Sequence, residues 1–471
     1  MHINQHLTRA FLALALALAA GGAPVKPGAP RKAAAPAKPA TGAGTITLIT
    51  GFSTFSQPTS LVEISPGTFA GLALAPTQNP GPAAFTLTTQ GTLKSFYTFP
   101  SNTLLEGPLL QATNGLLYAS WLNQPSEDFS LSLNGAFAPI PPTATKYAPV
   151  MSIQLPDGAL YGTEWNLAAP ANNAFVQMKL DGAATVLHAF SAEEGKPFGR
   201  PVLASDGNLY GISTLGGTEP TRSTSSMVYR LKPGGDFSIL TTYPDGRNYY
   251  APGGFTESLI QASNGNLYGT ASLGGSKRAG AIFELSMAGD YKMLYEFNNL
   301  ATGAPTFLLE GTDHNLYGVA QGQVALGGGS SLFRITLDGQ FNILQRLNGS
   351  QIGTCPCWLT LAHDGKIYGT TLSGGPGQGT AWVWDVGLPP PLPDVTGVLP
   401  TSGSVGAVVI VNGKFLLGAT GVSFNGTPAT TFSNISANYV SVTVPSGATT
   451  GPITVTTANG SSTSVGSFTV E

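Results

Sequence analysis

Charge is scarce in this sequence: Asp, Glu, Lys and Arg together make up 10% of its 471 residues. Exposed helix faces are usually built from such residues, so the scarcity argues against a helical protein. Cysteine is almost missing. Cys355 and Cys357 are the only two, which excludes a disulfide framework. A net charge of −3 and the lack of a basic stripe beyond residue 40 exclude an electrostatic nucleic-acid surface. The apolar stretch Phe11–Ala20 is too short for a bilayer-spanning helix, which needs about 20 residues. No G-x-S-x-G elbow and no phosphate-cradling glycine loop stands between a strand and a helix.

What is abundant is turn chemistry. Gly 61 and Pro 36, beside 42% hydrophobic residues, suit an all-β protein with many turns and a core large enough to fold. Arg9, the apolar run after it and the small residues Gly21-Gly22-Ala23 make residues 1–23 an expected secretory signal peptide. Residues 24–44 form a Pro/Ala/Lys-rich linker that cannot pack and acts as a stiff tether. The expected location is therefore secreted, extracellular or at the cell surface, with the periplasm as the other exported compartment.

The chain is organised by a repeat. Its clearest copy, Ser258–Gly275, is an apolar strand, an Asn-Gly turn, a second strand built on Leu-Tyr-Gly and a double glycine. Aligned on the tyrosine, the copies stand at Tyr118, Tyr161, Tyr210, Tyr268, Tyr317 and Tyr368, with a worn copy that has Ala70 in its place. The mean spacing is about 50 residues, the length of one propeller blade. Between tyrosines lies a second hairpin, as in Ala281–Phe297 and Ser331–Leu344, turned at Gly-containing tetrads. Each unit therefore holds four antiparallel strands. The seventh unit lacks its fourth strand before Leu388-Pro389-Pro390-Pro391, while Thr45–Phe52 stands alone ahead of the first unit and matches that strand's pattern. The expectation is a seven-bladed β-propeller over 45–388 whose last blade is closed by the N-terminal strand, leaving no exposed edge. After a Pro-rich linker at 389–392 the composition shifts to Val, Thr, Ser and Gly. Residues 393–471 predict a small Ig-like β-sandwich without Cys…Trp…Cys.

DGNLYGISTLGG (Asp206–Gly217), NGNLYGTASLGG (Asn264–Gly275) and DGKIYGTTLSGG (Asp364–Gly375) resemble the GloVer-type tandem repeat of bacterial secreted and surface proteins. That resemblance implies a surface or secreted β-propeller and names no activity. PTSGSVGAVVIVNGKFLLGATGVSFNGTPA (Pro400–Ala429) with VTVPSGATTGPITV (Val442–Val455) resembles an IPT/TIG immunoglobulin-like domain, which implies a spacer, adhesion or glycan-associated module.

Candidate chemistry is thin. His188, His314 and His363 fall in different units and pair with no Cys, Asp or Glu at metal spacing, so neither metal nor cofactor is expected. Asp157, Asp206 and Asp364 are each alone in a turn, which suits turn capping rather than calcium. Cys355-Pro356-Cys357 is a structural loop pair or a strained, easily reduced disulfide. The best candidate surface is a ring: three residues into the first strand the units carry Glu63, Gln111, Gln154, Leu203, Gln261, Glu310 and Leu361. The five polar members either bond edge backbone groups and channel water, or bind a polar ligand or glycan beside Trp121, Trp165 and Trp358 as stacking platforms. The function expected is non-catalytic binding or adhesion toward a protein or polysaccharide. The alternatives are a carbohydrate-active lyase or glycosidase at the channel mouth, which needs two convergent carboxylates, and a structural envelope repeat.

Overall fold

The computed structural model describes residues 42–53, 57–74, 81–101, 103, 105–121, 127–140, 150–164, 173–216, 225–242, 258–271, 274–277, 279–298, 303–322 and 329–471. The expected signal peptide, most of the linker after it, and Trp165 lie outside the described residues.

Among the described residues the chain is all-β. Its first part is a succession of four-stranded antiparallel sheets, each a meander of neighbouring strands. Sheet one comprises Val62–Ser65, Thr68–Ala73, Ala83–Thr88 and Leu93–Thr98. Sheets two to six follow the same order between residues 105 and 140, 150 and 189, 196 and 242, 259 and 296, and 305 and 346. Sheet seven takes Thr354–Leu361, Ile367–Ser373 and Thr380–Asp385 from its own unit, and Thr45–Gly51 pairs with Thr380–Asp385 as its fourth strand. That pairing carries a register shift between Leu48 and Thr50, opposite Trp382 and Ala381. Sheets one, three, four, five and six shift at the equivalent place, for example between Leu332 and Phe333. A bulge there strengthens local twist, so the N-terminal strand adopts the same twisted geometry as the strands it stands in for.

Burial explains the sequence pattern. Second and third strands, such as Leu267–Ala271 and Ala281–Leu285, are covered on both faces and so run almost continuously apolar or small. Fourth strands, such as Tyr291–Glu296, are half-exposed and alternate. Neighbouring sheets share cores: Tyr118 packs with Met151 and Leu160, Tyr161 with Leu203 and Tyr229, Tyr210 with Phe283, and Tyr268 with Leu308 and Phe333. A further core joins sheets six, seven and one, with Tyr317 edge-on to Trp384 at 5.7 Å and Phe69 against Tyr368 at 4.5 Å. The Leu-Tyr-Gly motif is therefore an inter-sheet packing device. In most copies its glycine lies under a cross-strand ring; a Cβ on Gly269 or Gly318 would stand 2.3 or 2.2 Å from Phe283 or Phe333, whereas Gly162 is crowded by the Val150 backbone. Sheet two carries Ala119 at this place, also opposite a phenylalanine, Phe129.

Residues beyond 393 form two more sheets. One is built from Asp394–Leu399, Val408–Lys414, Tyr439–Thr443 and Phe432–Ser436; the other contains Ala419–Phe424, Gly451–Thr457 and Gly460–Val470. Their shared core is aliphatic plus phenylalanine: Val409, Val411, Val440, Ile453, Val455, Phe424 and Phe468 are all buried.

Each sheet has a turn end, where strands one and two and strands three and four are joined tightly, and a connection end. The C-terminal unit sits against the turn end. Tyr439 donates its hydroxyl to the Gln154 carbonyl (2.8 Å), and the Asn459 amide donates to the carbonyls of His363 (2.7 Å) and Pro391 (3.1 Å). Phe415, held at φ 53°, packs against the core shared by sheets six, seven and one.

Candidate functional site

The first strands of all seven sheets surround a cavity of about 190 Å³, closed at the turn end by Lys414, Phe415, Leu417 and Ser436–Asn438. Five of the ring residues, Glu63, Gln111, Gln261, Glu310 and Leu361, line it, and Gln154 belongs to the same ring.

Their hydrogen bonds follow one rule. The side chain reaches back to the turn of the preceding sheet and caps the residue two places beyond that sheet's own ring position. Gln154 accepts from the Thr113 amide (2.8 Å) and donates to Thr113 Oγ1 (3.1 Å) and the Gly158 carbonyl (2.8 Å). Gln261 does the same with Ser205 (2.8 and 3.1 Å) and Gly265 (2.9 Å). Glu310 accepts from the Ser263 amide at 2.9 Å and from its hydroxyl at 2.5 Å. Across the seam between the last and first sheets, Glu63 accepts from the His363 amide (3.0 Å) and meets its Nδ1 at 2.5 Å.

The two leucines obey the same rule by default. Leu203 faces the turn that has Pro156 at the capped position, and proline has no N–H to offer. Beside Leu361 the equivalent Thr312 is engaged by the exit segment, donating its hydroxyl to the Pro389 carbonyl at 2.9 Å. Gln111 alone departs from it: it is 8% exposed, and its Oε1 is buried with no hydrogen-bond partner among the described residues. Such an orphan costs about 1–3 kcal/mol.

The turn aspartates cap. Asp157, Asp206 and Asp364 each accept from the amide two residues on and from the hydroxyl of their own Leu-Tyr-Gly tyrosine, at 2.5, 2.8 and 2.8 Å for the hydroxyls. His314 occupies the glycine place of its turn at φ 61° and lies 3.5 Å from Glu310. His188 is elsewhere, on a fourth strand, stacked on Phe237 and bonded to Glu194 at 3.0 Å. No group of three or more metal-ligating side chains occurs among the described residues. Trp358 is not the rim platform the sequence suggested; it is buried, its indole N–H donates to the Leu61 carbonyl (2.8 Å), and Arg200 lies over its ring at 5.1 Å. Trp121 stacks within its own sheet on Phe137. Cys355 is half-buried, and burial pushes its thiol above the ordinary cysteine value; the Cys357 side chain lies outside the described residues.

One pair escaped the sequence reading. Asp128 and Glu164, in sheets two and three near the connection end, are buried. Ser120 donates to Asp128 at 2.5 Å. Burial pushes the Asp128 carboxyl up to about 8; the Ser120 bond opposes this and the Glu164 charge adds to it. Every other sheet has an apolar residue where Asp128 stands: Ala84, Phe175, Val228, Ile282, Leu332 or Ala381. Aligning third strands, rather than the Leu-Tyr-Gly strands, would have exposed it.

No helix among the described residues is long and apolar enough to cross a membrane. No curated protein matches this sequence. Solved structures share the fold, among them the following two. A streptogramin B lyase is 14% identical over 72% of this chain and 97% of its own, with a TM-score of 0.51. A fungal alcohol oxidase in complex with copper is 10% identical over 91% of this chain and 100% of its own, with a TM-score of 0.50. At such identities the likeness is of β-propeller architecture, not of chemistry. The family described as the Gloeobacter/Verrucomicrobia repeat matches residues 148–384. With that match over half its length, and with sheets that follow the same repeat, the chain belongs to the Gloeobacter/Verrucomicrobia repeat family.

Proposed function

We propose that this chain is a secreted or surface-displayed, non-catalytic binding protein: a closed seven-bladed propeller, followed by an IPT/TIG-like module, that meets a protein or polysaccharide through its connection end. The observation that carries this reading is the seat of the C-terminal unit. Tyr439, Asn459 and Phe415 occupy the turn end, which leaves the opposite end for a partner. Strands such as Phe137–Ile140 and Phe237–Thr242 run out at that end, where Val150–Gln154 and Leu259–Gln261 of the next sheets begin, whereas turns such as 112–116 close the other. Variable links on a rigid scaffold are where binding specificity usually resides. Glu63, Gln154, Gln261 and Glu310 direct polar atoms to neighbouring sheets, which favours a scaffold role for them in this reading. The test is a glycan and envelope-protein binding screen of the exported chain, repeated with 243–257 replaced by a Gly/Ser linker. Binding lost in the replaced chain supports the proposal; binding unchanged by it sinks the connection-end assignment.

A second reading, a carbohydrate-active enzyme, draws on the Asp128–Glu164 pair, two carboxylates in neighbouring sheets at sites where other units carry none. Release of reducing ends from polysaccharide by the wild-type chain, abolished in Asp128→Asn and Glu164→Gln, would replace the binding reading with this one.

A further inference from the structure

The cavity between the seven first strands and the C-terminal unit has features that the scaffold alone does not explain. Much of its wall is apolar, formed by Leu61, Leu109, Ile153, Leu259, Leu309 and Trp358. Two buried acceptors in its lining have no partner among the described residues, Gln111 Oε1 from sheet two and Asn438 Oδ1 from the C-terminal unit. The ring rule sharpens the point. Where the preceding turn offers no amide, or is occupied by the exit segment, the ring position is leucine. Gln111 keeps a polar group that caps nothing, although leucine would fill the position without an orphaned amide.

Size and charge narrow what would answer those acceptors. A volume of about 190 Å³ exceeds the roughly 150 Å³ of apolar cavities that admit benzene. Charges of both signs line the cavity, with Glu63 and Glu310 beside Lys414, so a neutral guest is favoured over an ion. Water alone would satisfy the two amides but leave the leucine and tryptophan wall wet.

We propose that this cavity is a binding site for a small neutral amphiphile: an aromatic ring or short apolar body carrying a hydroxyl or amide donor. The body lies against Leu109, Leu309 and Trp358, and the donor is shared between Gln111 and Asn438. The C-terminal unit is then part of the site, because Asn438 and Phe415 complete it. This site is separate from the connection-end surface, and it stands or falls independently of what that surface binds.

The experiment uses the full chain with 4-fluorophenol, followed by fluorine NMR, and fluorobenzene as the probe without a donor. Saturable 4-fluorophenol binding is expected, weakened about fivefold or more by Gln111→Leu, the loss of one matched hydrogen bond. Fluorobenzene should bind Gln111→Leu at least as well as wild type. Leu309→Trp should fill the cavity and abolish both; Leu109→Phe serves if that variant does not fold. No saturable binding at concentrations up to about 10 mM, far weaker than any specific site, overturns the proposal. So does binding that the filled variants retain, or equal affinity for both probes with no effect of Gln111→Leu, which would mark a cavity without a polar site.

Discussion

Replacing Gln154 and Gln111 by leucine, one at a time, tests whether ring position or ring partner decides what these side chains do. Both are buried in the same place of adjacent sheets, at 2% and 8% exposure. Gln154 makes three hydrogen bonds, two of them to Thr113 of the preceding sheet. At roughly 1 kcal/mol net apiece, with the half-buried Thr113 amide left unpaired, their loss outweighs the leucine's apolar gain of about 1–2 kcal/mol. Gln154→Leu is therefore expected to destabilise by about 2–3 kcal/mol. Gln111→Leu breaks no bond and removes an orphaned acceptor, so it should be neutral or stabilising by up to about 1 kcal/mol. Urea unfolding followed by tryptophan fluorescence gives the ordering. A chain with two kinds of unit need not unfold in one step, so amide hydrogen exchange at Thr113 is the local readout: faster in Gln154→Leu, unchanged in Gln111→Leu. Equal destabilisation by the two variants, or Thr113 protection that survives Gln154→Leu, would refute the inter-sheet cap.

Three further expectations follow from the same contacts. The Glu63 hydrogen bond holds His363 above its ordinary 6.5, with burial opposing and the charges of Glu63 and Asp364 adding; because the folded state binds the proton more tightly, this seam stabilises fully below pH 6.5 and fades as pH rises through the raised value. The stability gap between wild type and His363→Gln, from denaturation at several pH values, should shrink over that window; a widening gap contradicts the assignment. Asp128, pushed from 3.8 up to about 8 chiefly by burial, keeps a proton in the fold that the unfolded chain releases, so stability should fall as pH climbs between those values and Asp128→Asn should flatten the decline. A slope identical in both proteins rules that out. Tyr439→Phe combined with Asn459→Ala removes the hydroxyl and amide bonds that seat the C-terminal unit, each worth about 1 kcal/mol; small-angle scattering should show a larger radius of gyration, and an unchanged profile would mean that Phe415 and its neighbours suffice.

The repeat was legible because its causes are local. A Gly-containing turn, a tyrosine and an apolar strand recur within each unit, and every copy is answerable to the same short-range geometry. The stray strand Thr45–Phe52 could be paired with the incomplete last unit on pattern alone, and the backbone hydrogen bonds of Thr45–Gly51 to Thr380–Asp385 follow that pattern. The turn-capping role of Asp157, Asp206 and Asp364 was readable for the same reason, since each accepts from the amide only two residues on. What each ring residue does was not readable. It depends on the turn of the neighbouring sheet, so Gln154 and Gln111 look alike in sequence and differ only in what faces them. Nor could composition reveal that Trp358 is interior, that Asp128 is buried within reach of the Glu164 charge, or that Tyr439 of the C-terminal unit reaches Gln154. Periodicity by itself determined the sheets and their order. Only the tertiary structure decided which polar groups meet across the seams and which end the C-terminal unit closes, because those contacts join residues that no repeat relates.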